Sequence, residues 1–250
     1  MSIIYSKKMR LQWLGAIFLA MIAGYLDGYG LLFLKTYVSF MSGNTTSAGV
    51  MSGSGNYPAA FRSALAIIFF VTGSFIGSLL SQSKLRHTHR ISFAWIAAML
   101  ATVAWLEWNG LRYMELEIAL LCVAMGMVNP ALTKIGAEPV GLTFITGTLN
   151  RMGGHIASAA QRQPLTDSHG DGDSHLRRAG IDGSVWAGFI GGAVLAGLLH
   201  PSLRAWALLP PCAVMLVLCL FSDRSVPSAG EGVATRGHDG SVHIALQETR

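Results

Sequence analysis

The chain has 250 residues, 52% of them hydrophobic and 12% charged, with a net charge of +5 and a mean hydropathy of +0.47. A soluble domain carries about a quarter charged residues, so composition excludes a water-soluble globule. The basic residues flank apolar blocks instead of forming a stripe with aromatics, which excludes a nucleic-acid partner and points to the lipid bilayer.

Lys7, Lys8 and Arg10 precede an apolar run from Leu11 to Leu34. The run is too long for a signal-peptide core, and no small-x-small cleavage site ends it, so it reads as a retained first span. Five more blocks, near 62–81, 91–108, 117–135, 184–202 and 203–221, approach the roughly 17–25 residues that a crossing needs. Their apolar residues run continuously rather than alternating, which predicts helices and not barrel strands. Pro210 and Pro211 should kink the sixth block near its middle. Cys122, Cys212 and Cys219 lie inside apolar blocks and read as small hydrophobes, with no disulfide framework and no metal site.

Topology follows from Lys and Arg. Six spans with an inner N-terminus put fourteen basic residues on the inner side and four, Lys35, Arg62, Arg112 and Arg204, outside. The positive-inside rule therefore predicts a multi-pass membrane protein with both termini cytoplasmic. An eight-span alternative, in which segments near 37–53 and 140–160 also cross, would put Lys84, Arg86 and Arg90 outside.

Those two segments carry the polar motifs. Gly24-Tyr25-Leu26-Asp27 is followed by Ser42-Gly43-Asn44-Thr45, and Gly126-Met127-Val128-Asn129 by Thr146-Gly147-Thr148. Repetition of this kind dictates architecture. Three spans per half is an odd number, so the second half must enter from the opposite side, as in transporters built from inverted repeats. Gly73-x-x-x-Gly77 and Gly188-x-x-x-Gly192 extend the correspondence; small residues four apart let helix backbones approach closely in lipid. The expected fold is thus all-α, with about six spans in two three-helix inverted repeats (1–110 and 111–222). Each repeat carries a polar, glycine-containing broken or re-entrant segment, and the two polar turns meet inside.

An aspartate near the centre of a span costs roughly 2.5–3.5 kcal/mol, so Asp27 should face the bundle interior or water. It is read as a proton- or cation-coupling carboxylate or a ligand contact, against a structural acid paired with Lys35. Asn129 is its counterpart, an amide that cannot titrate, and Pro130 after it frees a backbone carbonyl. The turns Ser42-Gly43-Asn44-Thr45 and Thr146-Gly147-Thr148 can each start a half-helix whose free N–H groups face an anion or polar substrate. Arg151 and His155 read as interfacial or packed polar residues. Residues 163–183 read as a polar cytoplasmic loop, in which Asp167, His169, Asp171, Asp173 and His175 form a solvated linker and no metal site. Residues 223–250 read as a disordered tail.

The stretches AGYLDGYG, YVSFMSGNTTSAG, AMGMVNPAL and LTFITGTLNRMG resemble the YoaK-like family of small bacterial integral membrane proteins, whose function is unassigned. The resemblance covers roughly residues 12–222. Asp27, Gly43, Asn44, Thr146 and Gly147 match its pattern, with Ser42 where threonine is usual. The function expected from the residues is secondary transport of a small polar or anionic solute, with Asp27 coupling it to protons. A passive channel and a non-transporting scaffold are the alternatives. No enzyme fingerprint is present, no cofactor is implied, and a homo-oligomer is compatible with the plan.

Overall fold

The computed structural model describes residues 2–83, 87–131, 134–135, 138–139, 145–165, 173–199 and 206–221, with side chains described outside 2–12, 129, 131–139 and 221. Its helices are α1 (Ser2–Tyr29), α2 (Met41–Gly53), α3 (Tyr57–Gln82), α4 (Thr88–Trp108), α5 (Met114–Ala131), α6 (Ile145–Ala160), α7 (His175–Leu199) and α8 (Leu209–Phe221). Lys134–Ile135 and Glu138–Pro139, β1 and β2, pair as a two-residue antiparallel ladder. Among the described residues this membrane protein is all-helical apart from that ladder. Among the described residues four helical segments are long and apolar enough to cross: Trp13–Leu34, Tyr57–Gln82, Thr88–Trp108 and His175–Leu199.

Local chemistry explains the boundaries. Asn56 caps α3 by accepting from the Ala59 N–H at 3.4 Å, and a proline follows it in the first turn. Pro210 and Pro211 do not kink a span. They lie in the first turn of α8, where a missing N–H has no helical acceptor to lose, so the prolines start the helix. Pro130 sits in the last turn of α5 for a related reason: little helix remains beyond it to break. Residues 175–183 are helix and not loop. Their charges lowered the hydropathy, but Arg178 and Asp182, four apart, share one buried face of α7.

Helix packing pairs the chain crosswise. α1 lies along α7, and α3 lies along α5. Gly188 abuts Ile17, Gly192 abuts Met21 and Gly28 abuts Ala196, so α1 and α7 run parallel. In the other pair Gly73 meets Val123 and Gly77 meets Met127, again in parallel, while Gly126 packs into α3 at Phe70 and Ser74. At Gly24, Gly73, Gly126 and Gly192 an added Cβ would collide with the facing backbone; glycine is what permits the approach. α4 and α8 pack antiparallel: Trp108 meets Trp206 edge-to-face at 4.6 Å, and the Cys212 and Cys219 thiols reach the carbonyls of Ala97 and Arg90. The cysteines are free and serve as apolar packing. The buried core runs through α1, α4 and α5.

Candidate functional site

The first polar motif is built on the end of α1. Gly30–Leu34 continues the helix as a π-helical turn, after which Lys35 adopts a left-handed conformation at φ 56°. The chain then folds back on its own helix. Gly30 lies against the Thr36 carbonyl with no room for a Cβ, so the return can be this tight. Its destination is Asp27, which is 4% exposed. Asp27 Oδ1 accepts from the backbone N–H groups of Val38 (2.9 Å) and Ser39 (2.7 Å), and Oδ2 accepts from the Ser39 hydroxyl at 2.6 Å. Three donors meeting one buried carboxylate make short, charge-assisted bonds. Lys35 is not its partner; that ammonium donates to the Leu32 carbonyl.

Asn44 holds the other end of the bend. Its Oδ1 accepts from the Thr36 hydroxyl (3.0 Å) and the Tyr37 N–H (3.1 Å), and its Nδ2 donates to the Tyr37 carbonyl (2.7 Å). Gly43 lies under the Phe40 ring, which a Cβ would strike, and Phe40 meets Tyr37 edge-to-face at 5.2 Å. Asp27 and Asn44 together therefore fix residues 36–40 and set the origin of α2. Ser42, Thr45 and Thr46 are exposed on α2, the two threonine hydroxyls donating to carbonyls four residues back. Ser47 reaches Ser63 of α3 at 3.1 Å, pinning the half-helix to its neighbour.

The second motif repeats this arrangement with other chemistry. Thr146 is exposed at the start of α6, and Thr148, one past the glycine like Asn44, is fully buried. Arg151 stands three residues after Thr148, as Ser47 does after Asn44. Its Nη2 donates to Asp182 of α7 at 2.9 Å and to the Thr148 hydroxyl at 3.4 Å. One turn on, His155 Nδ1 lies 3.1 Å from His175 Nδ1. Arg178 in turn holds Asp173 through Nε (3.2 Å) and Nη2 (2.8 Å). Among the described residues no cluster of three or more metal-ligating side chains forms. The Asn129 side chain, residues 140–144, and Asp167, His169 and Asp171 lie outside the described residues.

The structure gathers Asp27, Asn44 and the 36–39 bend into one network, and Thr148, Arg151 and Asp182 into another. α2 lies along α3 and α6 along α7. Sequence reasoning missed Ser39, Thr36, Asp182 and the buried Glu117 of α5. For Asp182 a signal existed, since Arg178, Asp182 and Val185 continue the apolar face of α7 at helical spacing. For Ser39 there was none, because its role depends on the reversal at Lys35.

A UPF0700 transmembrane protein of Rhizobium meliloti (strain 1021) is 30% identical over 200 residues, which are 80% of this chain and 81% of that protein. No solved structure matches the chain. The family described as "Protein of unknown function (DUF1275)" matches residues 15–221, which takes in both polar motifs and all eight helices in part or whole. The chain belongs to that family of membrane proteins, whose function is unknown.

Proposed function

We propose that the protein is a secondary transporter of a small polar or anionic solute, built from two inverted halves in the bacterial inner membrane with both termini cytoplasmic. The observation that carries this reading is the crosswise pairing: the first long helix of each half packs on the glycine-paired helix of the other, α1 on α7 and α5 on α3. Each half also contributes a short helix with one buried polar side chain in its first turn, Asn44 in α2 and Thr148 in α6, and each packs on the next helix. Broken helices at repeat interfaces are how such transporters present polar groups within the bilayer.

The helix directions support six crossings over eight. If all eight helices crossed in turn, α4 and α8 would run the same way. They run antiparallel, which fits a chain in which α2 and α6 enter and return. In the six-crossing plan α1 and α7 are parallel, α3 and α5 are parallel, and α4 and α8 opposed, as their contacts are. The 13 residues of α8 extend about 20 Å, short of the hydrocarbon thickness.

Asp27 acts here as a positioning residue. Both its oxygens are engaged by its own chain, so it orders the start of α2 rather than offering a free carboxylate to a solute. A solute would be read by the exposed hydroxyls near the half-helix origins, Ser42, Thr45 and Thr146. A melting-temperature screen of purified protein against small anions, sugars, amino acids and nucleobases identifies a ligand by mass action. Flux of the hit in proteoliposomes then decides. Uptake against a gradient supports the transporter; downhill flux alone would identify a passive facilitator, and no flux would remove the reading.

A further inference from the structure

We propose that the solute is an oxyanion, a carboxylate or phosphate, and that Arg151 of α6 binds it in competition with Asp182. This deepens the transporter reading and rests on it. α2 carries no Lys, Arg, Asp or Glu, and Arg151 is the one such residue of α6. It occupies the place that Ser47 holds in α2, so the second half brings a cation where the first brings a hydroxyl. The guanidinium is only partly used. Nη2 donates to Asp182 Oδ1 at 2.9 Å and lies 3.4 Å from the Thr148 hydroxyl, while Nε is buried with no acceptor. An arginine fork matches two oxygens of one anion, and Asp182 supplies one. A buried donor without an acceptor calls for a group to fill it.

Glycine leaves the approach to this edge clear. Gly147 and Gly154 stand four before and three after Arg151, on the same side of α6. A Cβ on Gly154 would meet nothing within 4 Å, and the Arg151 side chain is 26% exposed against 8% for Asp182. The acid thus holds the guanidinium from the protein side. The neighbouring charges are engaged elsewhere. Arg178 holds Asp173. α1 also packs along α7, and the charged residue among its described side chains is Asp27, whose oxygens take the donors of Val38 and Ser39. Because Nε is out of reach in the resting pair, an anion gains it only by taking the place of Asp182 at Nη2. One positive charge then serves either the solute or the carboxylate. Loading Arg151 therefore frees α6 from this tie to α7, which links occupancy to the position of the half-helix.

Melting of the full chain in phosphatidylcholine nanodiscs, titrated with inorganic phosphate or acetate at constant ionic strength, tests this. Phosphate also stabilises proteins by exclusion from their surface, so the specific signal is the saturating shift that Arg151→Gln removes. Asp182→Asn, without the competing carboxylate, should bind about tenfold more tightly than wild type, and Arg151→Lys, without the fork, about tenfold more weakly. Ser63→Ala, at the other half-helix, should bind as wild type does. The proposal is overturned by no saturable shift with either anion up to about 50 mM, by a shift that survives Arg151→Gln, or by an Asp182→Asn variant that melts lower and binds no tighter. Loss of the shift in nanodiscs containing phosphatidylglycerol would make the site a lipid contact and also overturn it. Should the variants misfold, hydrogen exchange of the wild type decides. Either anion should alter exchange at least about twofold in peptides within 145–160 and leave those within 41–53 unchanged; equal effects in both, or none, overturn the proposal. Oxyanion binding without flux would remove the transporter reading and leave the site, whereas Arg151-independent flux of a solute that is no oxyanion would do the reverse.

Discussion

Gly192 of α7 and Met21 of α1 meet backbone to backbone, with no volume for a side chain on the glycine. Gly73 and Val123 make the same contact in the other helix pair. Gly192→Leu is therefore expected to separate α1 from α7 and to cost about 3 kcal/mol or more, the upper end of overpacking penalties. Gly191→Ala, which meets nothing within 4 Å, should leave stability within about 1 kcal/mol of wild type. Melting of the purified variants in detergent compares them. Equal melting temperatures would mean that the helices do not cross at this glycine.

Asp27 separates two roles by graded substitution. Asp27→Ala strands two backbone N–H groups and the Ser39 hydroxyl in a buried bend, at about 1–3 kcal/mol for each unsatisfied group. Asp27→Asn keeps one oxygen for the two N–H groups and offers the serine an N–H, so it should lose only about 1–2 kcal/mol. Proteolysis of the 36–40 bend should accelerate in the alanine variant and change little in the asparagine one. If the two variants behave alike, the carboxylate's bonds are not what orders α2.

The proposed threading, with both termini cytoplasmic, sets an expected sidedness. In a background lacking Cys122, Cys212 and Cys219, single cysteines at Ser54 and Asn109 should label from outside the cell. Those at Ser83 and Gln163 should label only after permeabilisation. Ser54 closes α2 and Gln163 follows α6, so their opposite sidedness is the direct check on inverted halves. Labelling of both from one side would be incompatible with the proposed threading.

The two half-helices should differ in how their fastenings fail. Asp182→Asn leaves Arg151 without its carboxylate at a largely buried site. Breaking such a pair costs up to about 3–5 kcal/mol, discounted here because the Arg151 side chain is 26% exposed. Ser63→Ala removes one neutral hydrogen bond and should cost about 0.5–1.5 kcal/mol. Hydrogen exchange should register the first loss in peptides of α6 and the second in peptides of α2. An Asp182→Asn variant with unchanged α6 protection would show that the ion pair contributes nothing to holding the half-helix.

Much of the architecture is local and so was readable without coordinates. Continuous apolar runs produced the helices, and the glycine spacings at Gly73, Gly77, Gly188 and Gly192 marked the faces that pack. The recurrence of a hydroxyl-glycine turn pointed to α2 and α6 as separate short helices. The misreadings arose where polarity was mistaken for exposure. Residues 175–183 looked like loop because hydropathy cannot see that Asp182 will be matched by Arg151 from another helix, 31 residues away. Pro210 and Pro211 looked like a kink because an apolar run does not show where its helix begins.

The sequence by itself determined that the chain is a helical membrane protein with a costly acid at Asp27 and two related polar turns. Only the tertiary structure decided what those groups touch. It gave Asp27 to the returning bend at Val38 and Ser39, paired α1 with α7 and α3 with α5, and set His155 against His175. Helix propensity and apolar periodicity act within a few residues of chain. A buried carboxylate, a bare glycine face or an imidazole is satisfied by whatever the fold carries to it, as the Tyr25 hydroxyl is by the carbonyl of Ala207, 182 positions on.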